Sequence, residues 1–107
     1  MRVVSLVPSW TEFLHDLNVN VVGQTKFCVR PQTAFRKLPR VGGTKTVKLD
    51  AVLGLDPDLV VANREENDRA QIEALMAALP SERVVVTDVR TVEHALDEMR
   101  RLGEAVD

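Results

Sequence analysis

Short apolar runs alternate along the chain with longer amphipathic segments, and the runs consist mostly of β-branched residues. The clearest runs are 3–7 (VVSLV), 59–62 (LVVA) and 84–87 (VVVT), and 21–25 (VVGQT) forms a fourth. Apolar runs without alternation are typical of strands covered on both faces, as in a parallel sheet. The loops at the carboxyl ends of such strands gather along one edge, where ligands bind. The pattern therefore predicts a small parallel sheet of about four strands and the edge on which a site should lie.

Helices are predicted between these runs from apolar residues at helical spacing. The first helix follows the first strand and buries one apolar face, formed by Trp10, Phe13, Leu14 and Leu17. Ser9 should cap this helix, because an acidic residue stands three positions later, as in a capping box. Further helices are predicted near 49–53, over 68–79 and from about 91 onward. Strands and flanking helices in this order give an α/β fold with right-handed crossovers.

The two longer helices carry apolar stripes that predict their buried faces. The stripe of the helix over 68–79 consists of Ile72, Leu75, Met76 and Leu79. The stripe of the last helix consists of Val92, Leu96, Met99 and Leu102. We expect both stripes to pack against the sheet.

Length and composition limit the classes of function. The 107 residues form one domain, and their net charge of −2 gives no electrostatic reason to expect nucleic acid as a partner. No apolar run approaches the roughly 20 residues needed to span a bilayer, so membrane insertion is not expected. No signal peptide is visible, so the sequence as written predicts a cytoplasmic protein, or a periplasmic or extracellular one if a signal was removed. A single cysteine, Cys28, excludes an internal disulfide.

Polar and aromatic side chains follow three of the predicted strands and are the first candidates for ligand contact. Ser9 and Trp10 follow the first strand, Asn63 and Asn67 the third, and Arg90 the fourth. Each set also has a structural interpretation, with Trp10 in the core and Asn67 as a helix cap. Arg90 could bind a carboxylate or phosphate, or form an exposed ion pair.

Phe27 and Cys28 follow the second strand and also allow two interpretations. Phe27 is either a wall of the site or a core residue. Cys28 is a potential ligand for a metal or the cobalt of a corrin, although a lone cysteine more commonly packs as a small apolar side chain. No Ser-His-Asp arrangement, nucleophile elbow or phosphate loop is present. We therefore expect a binding protein without a cofactor rather than an enzyme.

Five sequence strings, taken in order, resemble the amino-terminal lobe of the helical-backbone substrate-binding proteins of ABC importers. The strings are RVVSLVPSWTEFL, VVGQTKFCVRP, VGGTK, LDAVLGLDPDLVVANREEN and VVVTDVRTVEHAL. This family includes receptors for cobalamin, ferric siderophores, haem and some metals, and the chain is most similar to the cobalamin-binding branch. The resemblance implies a Rossmann-like lobe of a periplasmic-binding-protein fold over residues 1–107, without the second lobe. Its implied ligand is cobalamin or a ferric chelate, held in a cleft without chemistry.

The resemblance also implies roles for individual residues. Asp50 matches the acidic residue with which family members dock on arginines of the ABC permease, and Phe27 matches an aromatic residue beside the ligand. The cobalamin-binding branch has tryptophans at the positions of Thr44 and Asn63, so this chain lacks two flat contact faces there.

Three alternatives stay open at this stage. The chain could be a cytoplasmic accessory protein or an enzyme built on the same fold, because fold alone does not determine function. It could also be a receptor lobe for a metal ion, although His15 and His94 are expected to be solvated side chains on helices, outside the predicted ligand-edge loops. An open lobe face would be apolar, and we expect it to drive formation of a homodimer.

Overall fold

The computed structural model describes residues 1–26, 37–43, 46–64, 67–88 and 92–106, without the side chains of residues 9, 81, 92 and 93. The described strands are β1 (Val3–Ser5), β2 (Val21–Gln24), β3 (Leu59–Asn63) and β4 (Val84–Thr87). They form one sheet in the order β2-β1-β3-β4, and every neighbouring pair is parallel. The predicted α/β fold with a small parallel sheet is confirmed.

Helices cover both faces of this sheet. They are α1 (Pro8–Asp16), α2 (Leu49–Gly54), α3 (Arg69–Ala78) and α4 (Val92–Val106), and a short 3-10 helix (Ser81–Arg83) precedes β4. Successive residues of a strand point to opposite faces, so β1 and β3 contribute to two separate cores. The core on the α1 and α4 side contains Val3, Val61, Trp10, Leu14 and Leu102. The core on the α2 and α3 side contains Val4, Val60, Val52, Ile72 and Leu75.

The start of α1 differs from the prediction. Pro8 occupies the first turn, Val7 is the N-cap residue, and no side chain caps the helix, so the predicted capping box at Ser9 is wrong. Proline is suited to this position because its φ angle is already helical and its missing N–H would have no intrahelical partner. At the start of α3 the cap is Asp68, which accepts a hydrogen bond from the backbone N–H of Gln71, so Asn67 is not the cap.

The apolar stripe of α4 is only partly buried. Leu102 is fully buried, but Leu96 is 59% exposed and Met99 is 37% exposed, so the predicted burial of these two residues is wrong. The less exposed side of the helix is formed instead by Ala95, Glu98, Leu102 and Ala105. The helix is therefore rotated by about one residue relative to its apolar stripe, because Leu102 and the residues near the carboxyl end make its contact with the core.

Two other predicted core residues are exposed. Met76 of α3 is 47% exposed and Leu17, just after α1, is 46% exposed, whereas Ile72 and Leu75 of α3 are buried as predicted. Both exposed residues stand at the margin of their helix stripe, where side chains pass from the sheet to the solvent.

Candidate functional site

The sheet order creates a topological switch point between β1 and β3. From β1 the chain passes to β2 on one side of the sheet, and β3 and β4 lie on the other side. The loop after β1 leads into α1 on one face, and the loop after β3 leads into α3 on the opposite face. A crevice between two such diverging loops at the carboxyl edge is the usual ligand site of an open parallel sheet.

Asn67 joins these two loops. Its side-chain Nδ2 donates a hydrogen bond to the carbonyl oxygen of Leu6 over 3.0 Å, and its Oδ1 accepts one from the backbone N–H of Asn63 over 2.8 Å. The backbone N–H of Asn67 also donates to the carbonyl of Asn63, over 2.9 Å. Because Asn67 is only 2% exposed, these bonds are shielded from water and hold the loops in one relative position.

Trp10 lies behind the same edge, in the core on the α1 side. It is 7% exposed, and its indole Nε1 donates a hydrogen bond over 2.9 Å to Oγ1 of Thr87 at the end of β4. The Thr87 hydroxyl in turn donates to the carbonyl of Ala62 in β3, over 3.2 Å. Phe13 packs edge-on against the indole, with 5.8 Å between ring centroids. The structure therefore places Trp10 as a cross-link between α1 and the ends of β3 and β4.

A pair of hydroxyl groups supports the loop after β1, and the sequence analysis missed it. The Thr11 hydroxyl donates to Oγ of Ser5 over 2.7 Å, and the Ser5 hydroxyl donates to the carbonyl of Val7 over 3.2 Å. Both side chains are fully buried. The available signal was a serine inside an otherwise apolar strand, since a buried hydroxyl needs a partner.

His15 is closer to the protein interior than predicted. The sequence analysis expected a solvated side chain, but His15 is half-buried and its Nε2 lies 3.2 Å from Oε1 of buried Gln24. The side chain thus ties the end of α1 to β2. His94 is exposed, as expected. Within the described ranges, no group of three or more His, Cys, Asp or Glu residues has the arrangement of a metal site.

The remaining predicted site residues fall partly inside and partly outside the described ranges. Asn63 is buried at the end of β3, and Asp50 is exposed in the first turn of α2. The predictions for Phe27, Cys28, Thr44 and Arg90, and for the Ser9 side chain, fall outside what the structure describes. Of the predicted residues that are described, the structure brings Asn63 and Asn67 together at the switch point.

A cavity of about 420 Å³ lies beside this edge, between α3 and β4. It is lined by Arg64, Arg69, Ile72, Glu73, Met76 and Val86. Arg64 is exposed directly after β3, and its backbone N–H donates to the carbonyl of Thr87.

Nothing in the described ranges suggests a membrane span, because none of the helices there combines sufficient length with sufficient apolar character.

Comparison with known proteins relates this chain to one family of binding proteins. The model of the periplasmic binding protein family matches residues 3–107. The vitamin B12-binding protein of Photorhabdus laumondii is 30% identical over 106 residues, a match that spans 97% of this chain and 38% of that protein. The chain therefore spans less than two fifths of the length of this curated relative.

Solved structures agree with this match. A periplasmic haem-binding protein from Pseudomonas aeruginosa superimposes with a TM-score of 0.83 at 26% identity, over 96% of this chain and 37% of that one. The periplasmic vitamin B12-binding protein of Vibrio cholerae superimposes with a TM-score of 0.79 at 23% identity, over 97% and 40% of the two chains, and supports the fold alone. The predicted resemblance is confirmed, and the family is a class of solute-binding proteins rather than enzymes. The chain belongs to the periplasmic binding protein family.

Proposed function

We propose that this chain is the amino-terminal lobe of a solute-binding protein that captures cobalamin or a related metal chelate for an ABC importer. The observation that carries the proposal is the switch-point crevice whose loops are joined by Asn67, in a chain that belongs to a family of binding proteins. The vitamin B12-binding and haem-binding relatives are more than twice as long as this chain. A second lobe would close the crevice from the opposite side.

The described part of the ligand edge is held in place before the ligand arrives. The bonds of Asn67 hold the carbonyl of Leu6 against Asn63 at the end of β3, and the hydroxyl groups of Ser5 and Thr11 support the segment that follows β1. Because this segment needs little ordering on binding, less of its contact energy is lost to conformational entropy. Capture in such a cleft needs no nucleophile or general base.

The proposed ligand contacts are residues that the sequence nominates, namely Ser9, Phe27, Cys28, Thr44 and Arg90. Trp10, Asn63 and Asn67, which are buried, are proposed to support the ligand edge from within the fold. Asp50, exposed on α2, is the proposed contact with the ABC permease. In the full-length protein, Asp50→Arg should reduce ligand uptake, whereas Asp97→Arg on exposed α4 should leave it unchanged; equal uptake by both variants would remove Asp50 from the docking surface.

The test of ligand class is calorimetric titration of the purified chain with cyanocobalamin, haemin and a ferric catecholate. We expect saturable binding of one chelate, and no heat with any of the three would overturn the proposal.

A matched pair of variants sharpens the test. Thr44→Trp should raise cobalamin affinity by about two- to tenfold, because an aromatic face contributes about 0.5–1.5 kcal/mol beyond its buried area. Thr46→Trp, at an exposed position two residues away, should not.

We also propose that the isolated chain forms a homodimer. The observation that supports this proposal is the exposure of Leu96 and Met99 on α4, since large apolar side chains on one surface favour association. Sedimentation at increasing concentration should show a dimer, and a monomer at every concentration would contradict the proposal. Leu96→Gln with Met99→Gln is the variant that should weaken this dimer.

A further inference from the structure

The cavity between α3 and β4 has a charged end and an apolar end. We propose that it is a second binding site, which takes a small amphipathic anion with one carboxylate and an apolar body. This site lies on the α3 side of the sheet and is formed by this lobe alone, so it does not depend on the switch-point crevice or on a second lobe.

The charged end lies at the carboxyl edge of the sheet. Arg64 directly follows β3, and Arg69 is the first residue of α3, so both arginines enter the cavity wall near that edge. Arg69 is already paired with Glu73 over 3.1 Å, whereas the guanidinium of Arg64 has no partner among the described residues. Two arginines and one carboxylate leave the described lining positive, and a guanidinium binds carboxylates with two parallel hydrogen bonds.

The apolar end is formed by Ile72, Met76 and Val86. Met76 is exposed on α3 and Val86 is half-buried on β4, so apolar surface faces the cavity from both sides. The backbone carbonyl of Val86 already accepts a hydrogen bond from Nη2 of Arg101 over 2.8 Å. Val86 therefore contributes its apolar side chain to the cavity. Methionine adapts its shape to different apolar ligands, because it is unbranched and polarisable.

Size and charge together define the class of ligand. A volume of about 420 Å³ falls within the usual range of small-molecule sites, which is about 300–1,000 Å³. A short fatty acid satisfies both ends, with its carboxylate on Arg64 and its chain over Met76 and Val86. The carboxylate of Glu73 in the described lining opposes an anion electrostatically, so we expect weak binding that requires a sensitive method.

The test uses amide chemical shifts of the isotopically labelled chain during titration with octanoate. Octanoate should shift the amides of Arg64, of 69–76 and of Val86 in a saturable way. Two probes separate the contributions of its ends: octanol has the chain without the charge, and acetate has the charge without the chain. We expect both to bind at least about tenfold more weakly, since a charge-assisted pair or the buried chain is then missing.

Variants of the cavity provide the decisive comparison. Arg64→Gln should weaken octanoate binding by about tenfold. Met76→Glu should abolish it by placing a carboxylate in the apolar end. Arg100→Gln removes another exposed arginine, on the opposite face of the sheet, and should bind octanoate like the parent chain. Amide spectra with the parent's dispersion show that each variant is folded.

Three results would overturn the proposal. The first is that octanoate leaves the amides of α3 and β4 unshifted. The second is that octanol binds as tightly as octanoate, which would exclude a role for the charge. The third is that a folded Arg64→Gln variant binds octanoate as tightly as Arg100→Gln does.

Discussion

The switch-point loops and the cavity between α3 and β4 lie side by side at one edge of the sheet, but their polar groups are used differently. Asn67 at the switch point and Thr87 at the end of β4 are buried and bonded to backbone or to Trp10. In the cavity, Arg64 is exposed and Arg69 makes only a solvent-exposed ion pair. The same edge thus contains polar groups that hold the protein together and polar groups that face solvent.

This difference changes how a polar residue at a sheet edge should be interpreted. A buried group must be hydrogen-bonded, because leaving it without a partner costs about 1–3 kcal/mol, and its first use is therefore structural. An exposed guanidinium keeps its hydrogen-bonding capacity for a ligand. Position at the carboxyl edge therefore identifies candidate residues. Burial then separates those that support the fold from those that are available to contact a ligand.

The largest effect is expected from Asn67→Ala. The variant leaves the carbonyl of Leu6 and the N–H of Asn63 without their side-chain partner in a buried place, so the free energy of unfolding should fall by about 2–4 kcal/mol. Urea unfolding followed by circular dichroism measures this change. Asn20→Ala, at an exposed position, is the control and should change the stability by less than about 0.5 kcal/mol. Equal stability of the two variants would show that Asn67 does not hold the loops.

A smaller effect is expected from the bond between Trp10 and Thr87. Thr87→Val removes the hydroxyl that accepts from the indole and donates to Ala62, and should lower the free energy of unfolding by about 1–2 kcal/mol. Thr87→Ser keeps the hydroxyl and should retain more of the stability. In a double-mutant cycle with Trp10→Phe, the coupling energy should reach at least about 0.5 kcal/mol, and additive effects would contradict a direct bond.

The smallest effect on stability is expected on the exposed side of α4. Leu96→Gln with Met99→Gln should change the free energy of unfolding by less than about 0.5 kcal/mol per residue, because both side chains already contact solvent. Leu102→Ala, one turn further along on the buried side, should lower it by about 2–5 kcal/mol. A large loss from the paired glutamine variant in a monomeric chain would show that the stripe is buried after all.

Much of the fold could be predicted from local patterns. The apolar runs at β1, β3 and β4 have no alternation, and this already indicated strands covered on both faces. The candidate site was harder to predict, since the pairings of Asn67 with Leu6 and of Trp10 with Thr87 join residues 61 and 77 positions apart. No local pattern specifies such partners, because they depend on how the strands are ordered in the sheet.

The sequence by itself determined the class of this protein: its apolar runs and amphipathic segments require a parallel sheet between two helical layers. The tertiary structure alone decided which polar residues are buried and hydrogen-bonded within the fold, and which side of α4 contacts the core. The physical reason is that an apolar pattern reports which residues favour burial. The actual burial of each side chain depends on the neighbours that the packed elements place around it.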